Sequence, residues 1–165
     1  MEALFTRAFQ GVGFGIPRAK ELAQMVRERY IAPEKWTLYE DTIPALEYLS
    51  HRGWNHAILS NHVPELPDIV RGLGLSHHIS YCMTSAATGY EKPNPEAFKN
   101  ALVTTGTPER VWMIGNEPIA DIQGAETVGL PAILVRNPQT EGIRHYARDL
   151  TEAVAIIEAN SDRVT

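Results

Sequence analysis

Beyond residue 37 the chain switches between two hydrophobic rhythms. Short apolar runs occur at 56–60 (HAILS), 79–83 (ISYCM), 111–115 (VWMIG) and 131–135 (PAILV), each of strand length. Between them apolar residues recur every three or four positions, the period of a helix with one buried face. That period predicts a helix carrying Ile43, Leu46 and Leu49 that stops near Gly53, and further helices over 64–73 before Gly74, 95–105, 119–128 before Gly129, and about 150–159. Asp41 or Thr42 is placed to cap the first of these.

The first 36 residues have a different texture. Leu4, Phe5, Ala8 and Phe9 fall on one face of a short helix, and Gly11, Gly13 and Gly15 break it. Pro17 then opens a second helix whose apolar side is Leu22, Ala23, Met25, Val26 and Tyr30. Residues 1–36 are therefore expected to form a helical appendage and residues 37–165 an α/β unit. The stretch 8–16 (AFQGVGFGI) reads as the loop between the helices, with a strand alternating Phe9, Val12, Phe14 and Ile16 as the other possibility.

Strands alternating with helices, joined by right-handed crossovers, make a doubly wound parallel sheet covered on both faces. Ligands on that architecture sit beyond the carboxyl ends of the strands. The residues there are Ser60, Asn61 and His62 after the first run, 84–92 after the second, Asn116 to Asp121 after the third, and Arg136 and Asn137 after the fourth.

Composition narrows the reading. With 165 residues the chain is long enough for one core and too short for two full ones. Fifteen basic against twenty acidic residues give a net charge of -5 with no long run of either sign, which disfavours a nucleic-acid partner. The single cysteine, Cys82, excludes an intrachain disulfide and points to a reducing compartment, with the cytoplasm as the expected location. No apolar run approaches the roughly 20 residues that cross a bilayer, so no membrane association is expected, and MEALFTRAFQ lacks the apolar core of a signal peptide.

The strand-end residues suit an anion beside a divalent cation. A short hydroxyl at Ser60, with backbone N–H groups at a helix start, fits a phosphoryl oxygen. Lys92 is a point charge on a flexible stem that reaches across the sheet top. Asn116, Glu117 and Asp121 offer oxygen ligands to a hard cation such as Mg²⁺. Taken singly, each has a plainer reading. Ser60 and Asn61 could cap a helix, Lys92 could be a solvated loop residue, Pro93 and Pro95 could shape a turn and open a helix, and Asp121 could complement a helix dipole. His62 is either a substrate contact or a helix-start residue. Cys82 reads as a small core residue, His77 and His78 diverge too far for a metal pair, and Trp36, Trp54 and Trp112 read as packing, with Trp36 placed to line an entrance.

The order of these motifs resembles the haloacid dehalogenase-like hydrolase superfamily, in its subfamily with a helical cap inserted early in the chain. The matching residues are AILSN at 57–61, YEKPNPEAF at 90–98 and IGNEPIADIQGAETVGLPAILV at 114–135. The resemblance covers 37–137 well and 1–36 loosely, as part of the cap. It implies that Ser60 and the backbone after it, with Asn61 and His62 at the mouth, hold a transferring phosphoryl group. Lys92 is implied as the catalytic lysine, and Asn116, Glu117 and Asp121 as the Mg²⁺ corner. Its members mostly hydrolyse phosphate esters through an aspartyl-phosphate, and a minority cleave carbon–halogen bonds, so a Mg²⁺-dependent phosphatase acting on a small phosphorylated molecule is the expected function. A non-catalytic binding or assembly domain and a 2-haloacid dehalogenase are the alternatives.

Two departures stand out against that resemblance. The family's first motif, an apolar strand ending in an aspartate pair, has no counterpart, so the nucleophile and a central strand are expected to be missing; Asp41 and Asp68 lie outside strand ends and make poor substitutes. Asn116 stands where a metal-binding acid is usual, so Mg²⁺ is expected to bind weakly or not at all. A missing central strand forfeits burial of about five apolar residues, roughly 10 kcal/mol, comparable with the whole stability of a domain. The expectation is a marginally stable chain, or one covered by a second copy or a partner chain along the open sheet.

Overall fold

The computed structural model describes residues 1–138 and 141–161. Strand β1 (His56–Ser60) pairs in parallel with β2 (Ile79–Thr84), Ser60 lying opposite Thr84. Strand β3 (Met113–Gly115) pairs in parallel with β4 (Ala132–Val135), and β4 with β5 (Tyr146–Ala147). All pairings are parallel, as the alternation predicts. The strands form two sheets, β1-β2 and β3-β4-β5. The outer edges of β1 and β3 therefore have no ladder partner among the described residues. Strand β5 escapes the sequence because two residues carry no periodicity; it is held by the Leu134 and Arg136 N–H groups donating to the carbonyls of His145 and Ala147 at 3.0 and 3.3 Å.

Consecutive β4 residues serve opposite faces, as pleating requires. Ile133 and Val135 meet α3 (Thr42–Ser50) and α8 (Leu150–Ser161) through Ala45, Leu49, Val154 and Ile157. Ala132 and Leu134 meet the other layer, where α6 (Pro95–Thr104) supplies Ala97 and Phe98 and the segment after β3 supplies Ile122 and Ala125. Helix α4 (Leu66–Gly72) closes a third cluster beneath β1 and β2, with Ile58, Ile79 and Cys82 packed on it, and α5 (Ser85–Thr88) is one short turn after β2. The helix predicted over 119–128 is wound more widely at its start: Pro118–Gln123 is a π-helix, with the Ile122 N–H reaching back to the Glu117 carbonyl at 3.4 Å, before α7 (Gly124–Glu126).

At the amino end α1 (Glu2–Gly11) and α2 (Ile16–Ile31) form a hairpin, so the strand alternative for 8–16 does not occur. Ala19 and Ala23 are its fully buried residues, and α1 buries none. Met25, expected on the buried side of its helix, is 54% exposed, and Leu4, on the apolar face of α1, is 70% exposed. A two-helix hairpin has one interface, and small alanines fill it, leaving the remaining apolar stripe outward. The hairpin reaches the α/β unit through an Arg27–Glu65 ion pair and through Tyr30.

Gly124 tests the packing of the α6 layer. A Cβ there would lie 2.7 Å from Phe98 Cε2 and 3.0 Å from Pro93 Cα. Alanine gains about 1 kcal/mol over glycine in a helix, but overpacking a filled core costs about 1–3 kcal/mol, and Phe98, 1% exposed, has nowhere to go. Gly124→Ala is expected to lower the urea midpoint, a net loss of about 1 kcal/mol.

Candidate functional site at the strand ends

The Asn61 side chain, just beyond β1, grips the backbone of Lys92 at both ends. Its Oδ1 accepts the Lys92 N–H at 2.7 Å and its Nδ2 donates to the Lys92 carbonyl at 2.8 Å. Two residues on, Asn94 caps α6 by accepting the Glu96 N–H at 3.0 Å, and Pro95 opens that helix, the structural role its sequence position suggests. With the backbone fixed on both sides, the Lys92 side chain turns inward. Nζ donates to the Leu59 carbonyl at 2.7 Å and to Asp121 Oδ1 at 2.6 Å. The two side chains are 9% and 5% exposed. Among the described residues Nζ has these two acceptors, which leaves one donor for a ligand.

Asp121 is fixed as firmly. Its Oδ2 accepts the Glu117 N–H at 3.0 Å. A Cβ on Gly115 would fall 2.2 Å from that same oxygen, so glycine at the end of β3 is what lets the carboxylate fold back. Asn116 and Glu117 are exposed on the turn, Asn116 Nδ2 lying 3.4 Å from Glu117 Oε1, and the Asn137 amide donates to the Asn116 carbonyl at 2.5 Å. As a cation site the set does not suffice. Both Asp121 oxygens are engaged, Asn116 is neutral, and no group of three His, Cys, Asp or Glu side chains that could hold a metal occurs among the described residues.

The structure thus brings together Lys92, Asn61 and Asp121, with Ser60 next to the Leu59 carbonyl, half-buried and opposite Thr84, and with Asn116 and Glu117 on the same turn. The His62 side chain meets the end of α2. Its Nε2 lies 2.9 Å from the Tyr30 hydroxyl, its ring stacks on Tyr30 at 5.0 Å, and Trp36 lies 5.7 Å away with its Nε1 donating to the Tyr30 carbonyl. Burial pushes the His62 pKa down, partly countered by the Val63 backbone. Trp54 and Trp112 pack against the core, and Trp36 joins this aromatic group.

Asp41 is misjudged from the sequence on two counts. It makes no side-chain cap to α3, and it does reach a strand end, pairing with Arg136 just after β4. Its second oxygen accepts the Leu150 N–H at 2.6 Å, and the Arg136 guanidinium lies 3.9 Å over the Tyr39 ring. Asp68 stays in α4, exposed, paired with Arg71 at 2.6 Å. Thr84 was not singled out either: it is 2% exposed, and its Oγ1 caps α5 by accepting the Ala87 N–H at 3.2 Å. No local pattern marks the Asp41 contact, since Asp41 and Arg136 are 95 positions apart.

A family model described as haloacid dehalogenase-like hydrolase matches residues 5–129. A phosphoserine phosphatase of Thermus thermophilus is 36% identical over 137 residues, which cover 81% of this chain and 53% of that protein. A glyceraldehyde 3-phosphate phosphatase of Methanothermobacter thermautotrophicus is 33% identical over 123 residues, 73% of this chain and 54% of that protein. The chain spans about half the length of the curated relatives it matches. In fold it is similar to the crystal structure of a HAD phosphatase from Thermococcus onnurineus, with a TM-score of 0.73 at 22% identity over 94% of this chain and 87% of that one. No described helix is long and apolar enough to cross a membrane.

Asp121→Ala strands the Lys92 ammonium without its counter-charge in a buried place, and is expected to destabilise the fold by about 3–5 kcal/mol in urea titrations. Acid is expected to act in two windows. Burial lowers the pKa of His56, His62 and His145 below 6.5, so the unfolded chain binds more protons. Stability is then complete above about pH 6.5 and falls as pH drops below it. Burial alone would raise the Asp41 pKa, but the Leu150 N–H and Arg136 outweigh it and hold it below 3.8, adding a second loss as pH falls further. Unfolding curves at pH 8, 6, 5 and 3 check both, and His62→Gln should flatten the first.

Proposed function

The chain belongs to the haloacid dehalogenase-like hydrolase family, and from that premise we propose that it forms the anion-holding part of a hydrolase acting on small phosphate esters. One observation carries this reading: a buried lysine, fixed through its backbone by the asparagine that follows β1, holds its ammonium at the strand ends with a donor to spare. In this reading Ser60 and the backbone after it bind phosphoryl oxygens, Lys92 offsets charge on the transferring group, and Asp121 holds Lys92 in place. Two relatives named for small phosphorylated substrates, phosphoserine and glyceraldehyde 3-phosphate, support the same class.

The attacking carboxylate is proposed to come from outside this sequence, on a strand that pairs with the open edges of β1 and β3. The acids weighed as substitutes are engaged elsewhere, Asp41 with Arg136 and Leu150 and Asp68 with Arg71. A carboxylate oxygen there would bond to phosphorus as the ester P–O bond breaks and the alcohol leaves with a proton. Water would then cleave the acyl phosphate to inorganic phosphate and free carboxylate. Asn116 and Glu117 would hold Mg²⁺ only with a further carboxylate from that segment. A second copy or a partner chain is the other proposed cover for the two edges. The neutral Asn116 favours a second reading, a non-catalytic anion-binding or assembly domain.

Inorganic phosphate titrated into the chain is expected to shift the backbone amides of Ser60 and Asn61. Lys92→Ala should weaken that binding about tenfold or more, the loss of a charge-assisted contact. In protein carrying the complementary strand, the same substitution should lower kcat/KM for phosphoserine or glyceraldehyde 3-phosphate by about a hundredfold. Phosphate binding without turnover selects the second reading, and absence of both ends the proposal.

A further inference from the structure

The segment after β4 has no part in that proposal, yet it is fixed from three directions. Arg136 adopts φ +54°, a left-handed conformation that costs energy for a side chain of this size and persists only where the surroundings impose it. They do: its N–H donates to the Ala147 carbonyl of β5, its guanidinium lies on the Tyr39 ring, and Asp41 pairs with it while accepting the Leu150 N–H that begins α8. The next residue, Asn137, reaches back across the sheet top and donates to the Asn116 carbonyl at 2.5 Å.

Asn116 opens the turn on which the site depends. Its neighbour Glu117 supplies the N–H that holds one Asp121 oxygen, and Lys92 holds the other. From these contacts we infer that Asn137 is a positioning residue. It pins the Asn116 carbonyl so that the Glu117 N–H keeps Asp121, and with it the Lys92 ammonium, aligned toward a bound anion. The Asp41–Arg136 pair aims Asn137. The inference deepens the phosphate reading and rests on it for the identity of the anion.

Three variants of the whole chain test this: Asn137→Ala, Asn137→Leu, which keeps the shape without a donor, and Asn137→Gln, which keeps the amide. The readouts are hydrogen exchange at the Glu117 amide, the affinity for inorganic phosphate, and the melting temperature. Losing one hydrogen bond corresponds to about three- to tenfold, so the Ala and Leu variants should exchange faster at Glu117 and bind phosphate more weakly by that factor. The Gln variant should recover part of both, with all melting temperatures near that of the parent. Unchanged Glu117 exchange in Asn137→Ala overturns the inference, as does a loss shared equally by the Gln variant or one matched by a fall in melting temperature. If the parent binds no phosphate, the phosphatase reading fails, while Glu117 exchange still decides whether Asn137 positions the turn.

Discussion

An ammonium withdrawn from water has to find oxygen for its N–H bonds, and much of the strand-end geometry follows from meeting that demand for Lys92. The Leu59 carbonyl comes from β1 and the Asp121 carboxylate from the turn after β3, so a single side chain spans the space between the two sheets. Asp121 in turn needs a second donor, which Glu117 provides, and room, which Gly115 provides by lacking a Cβ. Coulomb attraction at 2.6 Å in a low-dielectric setting is strong, but desolvation cancels much of it. What the pair secures is direction: the charge can point along one line.

The covering layers serve that arrangement. Helix α6 begins immediately after the Lys92 loop and is anchored by Phe98 against Gly124, so the loop is tied to the core within a few residues. On the opposite face, α3 and α8 pack on Ile133 and Val135, and their ends meet at Asp41, where Arg136 and Leu150 converge. The turns at the top of the sheet thus inherit their positions from helices on both faces, which is how a doubly wound fold converts packing into the placement of polar groups.

Much of this was legible in the sequence where local rules act. HAILS and PAILV became strands because a continuous apolar run fits a sheet covered by helices. The start of α6 at Pro95 followed from proline's fit to the first turn of a helix. Lys92, Asn61 and Asp121 were found by their place after strands, and the family model bears out the resemblance that grouped their motifs. The misses share a cause. Asp41 reads locally as a helix cap, but a cationic partner 95 residues away outcompetes the cap's backbone N–H groups. The contact of the His62 ring with Tyr30, a stack and a hydrogen bond, likewise joins positions 32 apart that no local pattern links. The exposed Leu4 and Met25 show that periodicity marks an apolar face without saying whether anything covers it.

The division of the strands into β1-β2 and β3-β4-β5 also gives the molecule a mechanical grain. Within each set, load along the strands is shared by a ladder of parallel hydrogen bonds acting together. Between the sets it falls on apolar contacts such as that of Leu59 with the α6 layer and on the Lys92 bridge. Tension applied across that line would meet a seam whose bonds give way one at a time, so the halves would part there before either sheet sheared.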